Sequence, residues 1–273
     1  MSTIFNISDK IKLQGSEAPS LLNFYGAAAA AYSLRRLDAF YSGSAVRVRR
    51  ASDNAEQDIA FANNELDTAT LETFASGTDA FVTTWYDQSG NGVNATQTTA
   101  SAQPQIVSSG STILENGKAA VDFDGVSNYF DVSLGTLKEV FTSFVSTPNT
   151  GSQIIGGENG AFGYSRENSR HRVWKVNSST VNFSDFIVLP LTELITIDYS
   201  DSSNYSKLYR DGSLIGTEAS LNISGNTTYI GQNNSGGAYI FNGSIQEIVF
   251  YTINKSLVRT GIETNINDFY SIY

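Results

Sequence analysis

The chain of 273 residues contains no cysteine and a single histidine, His171. The absence of cysteine excludes disulfides, thiolate catalysis, cysteine zinc sites and iron–sulfur clusters. One histidine also excludes a metal site built from several histidines, and a serine-hydrolase triad would have to use His171. We expect His171 to be a partly exposed strand residue, since no second histidine or cysteine can join it.

Positive charge and long apolar runs are also scarce. Lys and Arg number 17 against 27 Asp and Glu, which gives a formal net charge of −10. Because such a chain repels phosphate backbones, we expect no nucleic-acid partner. No apolar run approaches the ~20 residues that span a bilayer, and the N-terminus lacks the pattern of a secretory signal. These absences predict no membrane insertion and synthesis in a host cytoplasm without a signal peptide.

The basic residues that are present cluster near the N-terminus, at Arg35, Arg36, Arg47, Arg49 and Arg50. Acidic residues lie beside them, at Asp38, Asp53, Glu56 and Asp58. The mixture of signs predicts ion pairs on one surface rather than a site for a polyanion.

The chain divides into a short arm and one large domain. Residues 1–24 carry interrupted apolar positions that such a segment could not bury alone, so we predict an arm that contacts an assembly. No linker interrupts residues 25–273, which we interpret as one domain.

The domain shows mainly short strands. Helical spacing predicts a helix over residues 27–40, with Arg35 and Arg36 facing out, and a second over 63–75. From Phe81 onward, short strands alternate with Gly, Asn, Asp and Ser turns until a C-terminal helix capped by Asn254 or Ser256. The tight turn of "YRDGSLIG" (209–216) predicts a hairpin. The fold class is therefore all-β, a sandwich with short N-terminal helices and a C-terminal helix.

The stretch "WYDQSGNG" (85–92) resembles the start of a calcium loop, with oxygen-bearing side chains at Asp87, Ser89 and Asn91. A twelve-residue calcium loop needs a bidentate Glu at its end, where Thr98 stands, so that type of site is excluded and only a looser calcium site remains. We favour a turn fixed by the side chains of Asp87 and Asn91, with Trp85 and Tyr86 at the sandwich surface. We expect no other cofactor.

Three later stretches resemble the concanavalin A-like jelly roll of the laminin-G type. They are "AAVDFDGVSNYFDV" (119–132), "ITIDYSDSSNYSKLYRDGSLIG" (195–216) and "TYIGQNNSGGAYIFNGSIQEIVFY" (228–251). Together they imply a concanavalin A-like β-sandwich. Such a fold leaves the function open.

Two earlier stretches resemble the catalytic domain of the α-L-arabinofuranosidase B family. They are "SGSAVRVRRASDNAEQDI" (42–59) and "WYDQSGNGVNATQ" (85–97). Similar segments also resemble parts of phage virion proteins. The arabinofuranosidase resemblance implies a retaining mechanism with two carboxylates, one of them a nucleophile and the other an acid/base.

That resemblance implies two catalytic positions, and only one of them carries a carboxylate in this chain. The acid position corresponds to Asn233, which cannot give up or regain a proton in that role. The nucleophile loop resembles "IIGGENG", with Glu158 as the matching carboxylate. The family's vicinal cysteine pair is absent. On these grounds we predict no catalytic residues and expect Glu158 to be an exposed loop carboxylate.

The sequence thus favours a non-catalytic phage virion protein, on a tail fibre, baseplate or capsid, with a lectin-like domain for host glycan binding or decoration. Its location would be the virion surface, and its partners other virion proteins through residues 1–24, a cell-surface glycan and copies of itself in a homo-oligomer. The alternatives are an arabinofuranosidase-like glycoside hydrolase and a purely structural cement protein. Sugar sites in such folds combine an aromatic face with polar loop residues. The glycan-binding candidates are Trp174, Arg170, Arg172, Glu158, Asn159, Gln232, Asn233 and Asn234, although Trp174 is equally suited to the core.

Overall fold

The computed structural model describes residues 20–134, 140–148, 153–157, 162–167, 170–175, 178–184, 191–200, 205–219, 228–232 and 240–273. Nineteen strands of these residues form one continuous antiparallel network that folds into two layers. Within the described residues, no helix is long and apolar enough to cross a membrane. The prediction of an all-β sandwich is confirmed.

The front sheet is the layer that contains the strand with Trp174. Its strands, in spatial order, are β3 (Glu56–Ile59), β2 (Val46–Arg50), β6 (Ala80–Trp85), β7 (Ala95–Thr96), β13 (Phe130–Val132), β22 (Thr228–Ile230), β15 (Gln153–Gly157), β16 (Phe162–Glu167), β17 (Arg170–Lys175) and β18 (Ser178–Ser184).

The back sheet is built around the long strand β23 (Asn242–Tyr251). One edge of β23 pairs with β14 (Val140–Pro148), followed by β19 (Glu193–Ser200), β20 (Tyr205–Arg210) and β21 (Ser213–Ala219). Its other edge pairs with β1 (Ala30–Ser33) and β12 (Val121–Asp124). Beyond β12 lie β8 (Gln105–Ser108) and β9 (Ser111–Thr112), and the pairing of β8 with β6 joins the two sheets.

Shorter elements complete the described structure. The hairpins are β4–β5 (Phe61–Ala62 and Glu65–Leu66) and β10–β11 (Leu114–Glu115 and Lys118–Ala119); the helices are α1 (Leu21–Tyr25), α2 (Thr68–Ala75), α3 (Arg259–Tyr270) and one turn of 3-10 helix (Ala100–Ala102). The predicted hairpin turn is confirmed at Asp211 and Gly212, whose φ values are +49° and +75°.

The sandwich has two apolar cores, one between the sheets and one behind the back sheet. The larger is built on aromatic residues such as Trp85, Phe130 and Phe250, all fully buried. The smaller joins Val249 and Tyr251 of β23 to Ile262 and Ile266 of α3. The C-terminal helix therefore covers the outer face of the back sheet.

The helix predicted over residues 27–40 is wrong. Residues 30–33 form β1, which pairs with β23 in the register Ala30 opposite Phe250. All four residues of β1 are buried, because Tyr32 packs between the sheets while Ala31 packs against the smaller core. A strand that is buried on both faces loses its alternation, and a short apolar run then looks helical. The helix predicted within 63–75 is confirmed as α2.

Arg35 does not face outward, as the helical interpretation required, but is 5% exposed. Its guanidinium donates to both carboxylate oxygens of Glu247, at 2.7 and 3.0 Å. The hydroxyls of Ser33 and Tyr270 donate to the same carboxylate, at 2.8 and 3.2 Å. The network fixes helix α3 onto β1 and β23. The ion pairs predicted for the other arginines are confirmed for Arg47 with Glu56 and for Arg50 with Asp53, both at 2.7 Å.

The predicted caps of the C-terminal helix are also wrong. The helix begins after Val258, and no side chain caps it. Asn254 instead accepts a hydrogen bond from the Ser256 N–H at 2.7 Å, and the Ser256 hydroxyl donates to Asp198. These polar residues therefore form the turn that precedes the helix.

Residues 20–24 of the predicted arm belong to the described structure. Leu21 and Leu22 are buried in the smaller core, and the Leu22 N–H donates to the Leu37 carbonyl at 2.9 Å. Residues 1–19 lie outside the described residues. The division at residue 24 and the assembly contact stay predictions.

Candidate functional site

The predicted site residues fall on one sheet or outside the described residues. Arg170, Arg172 and Trp174 occupy alternate positions of β17, and Gln232 follows β22. The remaining four candidates, Glu158, Asn159, Asn233 and Asn234, lie outside the described residues. The four described candidates all belong to, or follow, strands of the front sheet.

The strand register brings several of these positions into one row across the front sheet. Trp174 lies opposite Gly163, and Gly163 lies opposite Gly156. Gly156 lies opposite Tyr229, which in turn lies opposite Asp131. We call this row of five residues the front row. Neighbouring strands are about 4.8 Å apart, so the two glycines leave a stretch of backbone without side chains between positions 174 and 229.

Tyr229 and Asp131 face away from the core between the sheets. Their strand neighbours Ile230, Phe130 and Val132 belong to that core, and side chains alternate along a strand. Tyr229 is 6% exposed, and its ring meets that of Tyr129 edge-on at 6.1 Å. Tyr229 is thus a tightly packed aromatic ring beside the two glycines.

Asp131 supplies a carboxylate at the end of the front row. The residue as a whole is exposed, but its carboxyl group is partly desolvated, and this desolvation raises the pKa of Asp131 above its ordinary value. Sequence reasoning missed Asp131, although the alternation Phe130–Asp131–Val132 predicts an outward position. A raised pKa keeps a carboxyl protonated to higher pH, as a general acid requires.

Gln232 lies where the front sheet leads into the segment with Asn233. The preceding residue, Gly231, has φ +96°, and a Cβ there would lie 2.6 Å from the Phe123 ring. The Phe241 N–H donates to the Gly231 carbonyl at 2.8 Å, which closes the base of the segment. Gln232 is 2% exposed, and its amide nitrogen makes no hydrogen bond to a residue that the structure describes. Within the described structure, this amide is a spare donor beside the site.

The front row lies between the ends of its two central strands. Gly157, which precedes Glu158 in the chain, lies opposite Thr228, whereas Ile155 lies opposite Ile230. Strand β15 therefore ends at one end of this strand pair, and β22 ends at the other.

The loop 85–92 is an internal brace. Asp87 is 4% exposed, and its carboxylate accepts hydrogen bonds from the N–H groups of Ala31, Ser89 and Val93 at 2.9, 2.8 and 3.1 Å. The Asn91 amide donates to the carbonyls of Ala28 and Ala29 at 2.9 and 3.1 Å. The predicted role of Asp87 and Asn91 in fixing the turn is confirmed, and the loop also holds β1 in place.

The same contacts concern the looser calcium site that the sequence left open at Asp87, Ser89 and Asn91. The Ser89 hydroxyl donates to the Asp87 carboxylate at 2.7 Å, so the oxygens that would bind the ion already accept hydrogen bonds. Among the described residues, no group of three or more acidic or histidine side chains is placed to hold a metal ion.

Two aromatic predictions near the site were wrong. His171 is fully buried instead of partly exposed, and its Nδ1 lies 2.5 Å from the Tyr164 hydroxyl. Trp85 is fully buried in the core rather than at the surface, while Tyr86 remains partly exposed and donates to Asp58 at 2.8 Å. Each large ring finds more apolar area to bury inside the sandwich than at its surface.

Comparison with known proteins shows which families and structures this chain resembles. The model of the family "α-L-arabinofuranosidase B, catalytic" matches residues 25–153, just under half of the chain. An arabinofuranosidase complexed with arabinofuranosyl-α-1,2-xylobiose superposes with a TM-score of 0.71 at 15% identity, over 92% of this chain and 64% of that one. A GH54 α-L-arabinofuranosidase soaked with a cyclic sulfate inhibitor gives 0.70 at 15% identity, over 92% and 65%. This chain has the fold of the GH54 arabinofuranosidases.

The chain spans 64–65% of the length of those two solved proteins. No curated protein matches the sequence. The resemblance to arabinofuranosidase B noted from the sequence is therefore supported by an independent match, and the sandwich relationship holds over nearly the whole chain. The resemblance to phage virion domains has no such support.

These matches correct the functional interpretation of the sequence. A non-catalytic, lectin-like phage virion protein was the favoured function, and the match to a catalytic domain overturns it in favour of the glycoside hydrolase alternative. The predicted absence of enzyme activity and the predicted virion-surface location are wrong for the same reason. The error came from giving one residue, Asn233, more weight than the whole N-terminal half of the domain.

Proposed function

We propose that this chain is a glycoside hydrolase domain that removes α-L-arabinofuranosyl groups from a polysaccharide such as arabinoxylan. The observation that carries the proposal is the match of residues 25–153 to an arabinofuranosidase catalytic domain. The front row supports it, because an aromatic ring, two glycines and a carboxylate lie side by side there, and a furanose site uses such groups for packing, close approach and chemistry.

Glu158 is the nucleophile in this proposal. It follows Gly157 directly, and Gly157 adjoins the front row. A retaining mechanism places the Glu158 carboxylate against the anomeric carbon, forming a glycosyl–enzyme ester as the bond to the leaving oxygen breaks. Water then attacks the anomeric carbon of this intermediate, which breaks its bond to Glu158, frees the carboxylate and releases arabinose.

Asp131 is the acid/base, in the role that Asn233 cannot fill. Its pKa is raised by desolvation, so the protonated form persists to higher pH. Asp131 donates this proton to the departing oxygen in the first step and takes a proton from the attacking water in the second. Positions 131 and 156 are two strands, or about 10 Å, apart along the row, with Tyr229 between them.

The test is the release of 4-nitrophenol from 4-nitrophenyl α-L-arabinofuranoside. We expect turnover by the native chain and a loss of about a thousandfold or more in Glu158→Gln, which keeps the shape but removes the nucleophile. Asp268→Asn is the matched control, since Asp268 is an exposed carboxylate of α3 far from the front sheet. Equal rates in Glu158→Gln and Asp268→Asn would disprove the role of Glu158.

A further inference from the structure

A cavity lies on the side of the sandwich away from the front row. It encloses about 470 Å³ between the hairpins β4–β5 and β10–β11, the start of α2 and the end of α3. None of its lining residues belongs to the front sheet. Its volume is within the range of small-ligand sites, which hold roughly 300–1,000 Å³. The cavity is large enough for one or two sugar rings.

Apolar side chains form the floor and one wall of this cavity. Leu34 and Leu66 are buried at its base, each 4% exposed. Leu114 is 54% exposed at the rim, and Phe269 is partly exposed beside it. These surfaces suit the C–H faces of a sugar, which pack on apolar and aromatic groups.

Polar side chains of different kinds line the other wall. Glu65 and Lys118 form an ion pair at 2.7 Å, with the ammonium 4.2 Å from the centre of the Phe269 ring. The side chains of Asn63 and Thr68 also line the cavity, and neither makes a hydrogen bond to another described residue. The wall therefore offers a carboxylate, an ammonium, an amide and a hydroxyl.

This combination selects the chemical class of the ligand. A neutral polyol both donates and accepts, so it can satisfy all four kinds of group at once. A purely apolar ligand would leave the Asn63 amide and the Thr68 hydroxyl without partners, which is unfavourable. An anion would meet two carboxylates, Glu65 and Asp67, against the one ammonium of Lys118.

We infer that this cavity is a secondary carbohydrate site, which holds one or two backbone sugars of the polysaccharide on the side away from the active face. The inference rests on the proposed function for its polymer. The site raises the local concentration of polymer at the enzyme without touching the reacting bond.

The test fills the cavity without removing a stabilising contact. Ala69 lines the cavity and is the exposed second residue of α2, so Ala69→Trp places a large ring in the opening. Thr73→Trp is the matched control, because Thr73 is exposed on the same helix and does not line the cavity. Both variants are first checked for cooperative unfolding.

Binding of arabinoxylan oligosaccharides is measured through the backbone amide signal of Gly117 in a two-dimensional NMR titration. Gly117 lines the cavity, and a Cβ added there would have nothing within 4 Å. We expect the signal to move on titration of the native chain and of Thr73→Trp, and Ala69→Trp to bind about tenfold more weakly. An unmoved Gly117 signal in the native chain, or equal affinity in the two variants, would overturn the inference.

The same variants separate this inference from the proposed function. Ala69→Trp should hydrolyse 4-nitrophenyl α-L-arabinofuranoside at the native rate, because that small substrate cannot reach both sites. A native chain without any hydrolysis would contradict the proposed function, yet the Gly117 titration would still decide the binding site. Slower hydrolysis of the small substrate by Ala69→Trp alone would place the cavity in the active site and overturn its secondary role.

Discussion

The two outer faces of the sandwich differ in what covers them. Helix α3 packs on the back sheet, where Ile262 and Ile266 bury its apolar surface and Glu247 binds Arg35. Among the described residues, no helix packs on the strands that carry the front row, and two glycines lie in the middle of that row. We call the first the closed face, because a helix covers it, and the second the open face, because no described helix covers it. Substitutions on the closed face should change folding, and those on the open face should change activity.

The largest effect on stability is expected from Glu247→Gln on the closed face. The change leaves the buried guanidinium of Arg35 without its counter-charge, which lowers the free energy of unfolding by about 3 kcal/mol or more. Urea denaturation measures it. Glu56→Gln, which removes an exposed partner of Arg47, is the control and should have little effect. Equal destabilisation by the two changes would contradict the closed-face account.

A smaller effect is expected from Gly231→Ala, at the edge of the open face. The new Cβ would meet the Phe123 ring at 2.6 Å, in a backbone conformation that disfavours side chains. We expect a loss of about 2–4 kcal/mol, from overpacking added to the left-handed φ. Gly77→Ala separates the two causes, because Gly77 has φ +78° and a Cβ added there would have nothing within 4 Å. If Gly77→Ala destabilises the chain as much, the contact with Phe123 does not matter.

The smallest effect on stability is expected from Asp131→Asn, in the front row. The folded-state pKa of Asp131 is raised, so its ionisation opposes folding as pH rises through that pKa. The variant should match the native chain at about pH 3 and be slightly more stable at about pH 7, by less than about 0.5 kcal/mol. Urea denaturation at the two pH values measures the difference, and a variant that is less stable at the higher pH would contradict the raised pKa.

Among these three variants, Asp131→Asn should change stability least but activity most. Asp131→Asn should slow hydrolysis of arabinoxylan by about a hundredfold, since general acid catalysis contributes 10²–10⁴. With 4-nitrophenyl α-L-arabinofuranoside, the first release of 4-nitrophenol should be little changed, because 4-nitrophenolate leaves without a proton, whereas steady turnover should fall because the attacking water loses its base. An equal loss in the first release of 4-nitrophenol would show that Asp131 binds the sugar rather than protonating the leaving group.

The sequence predicts local structure much better than it predicts the site. Strand β15 was expected at 152–156 and lies at Gln153–Gly157, because turn residues bracket it on both sides. Strand β1 was missed, since burial on both faces removes the alternation that identifies a strand. The front row could not be predicted, because it depends on pairings between residues as distant as Asp131 and Tyr229. The error at position 233 was of another kind. There the functional interpretation gave one residue, Asn233, more weight than a resemblance that extends over the fold.

The most direct test of the central claim is a proton NMR time course of the native chain with 4-nitrophenyl α-L-arabinofuranoside. A hydrolase that uses Glu158 as nucleophile releases arabinose as the α anomer first, because two inversions at the anomeric carbon restore its configuration. The account predicts that α-arabinose appears before the β anomer, and that neither appears with Glu158→Gln. The absence of free arabinose from the native chain, or the β anomer first, would contradict it.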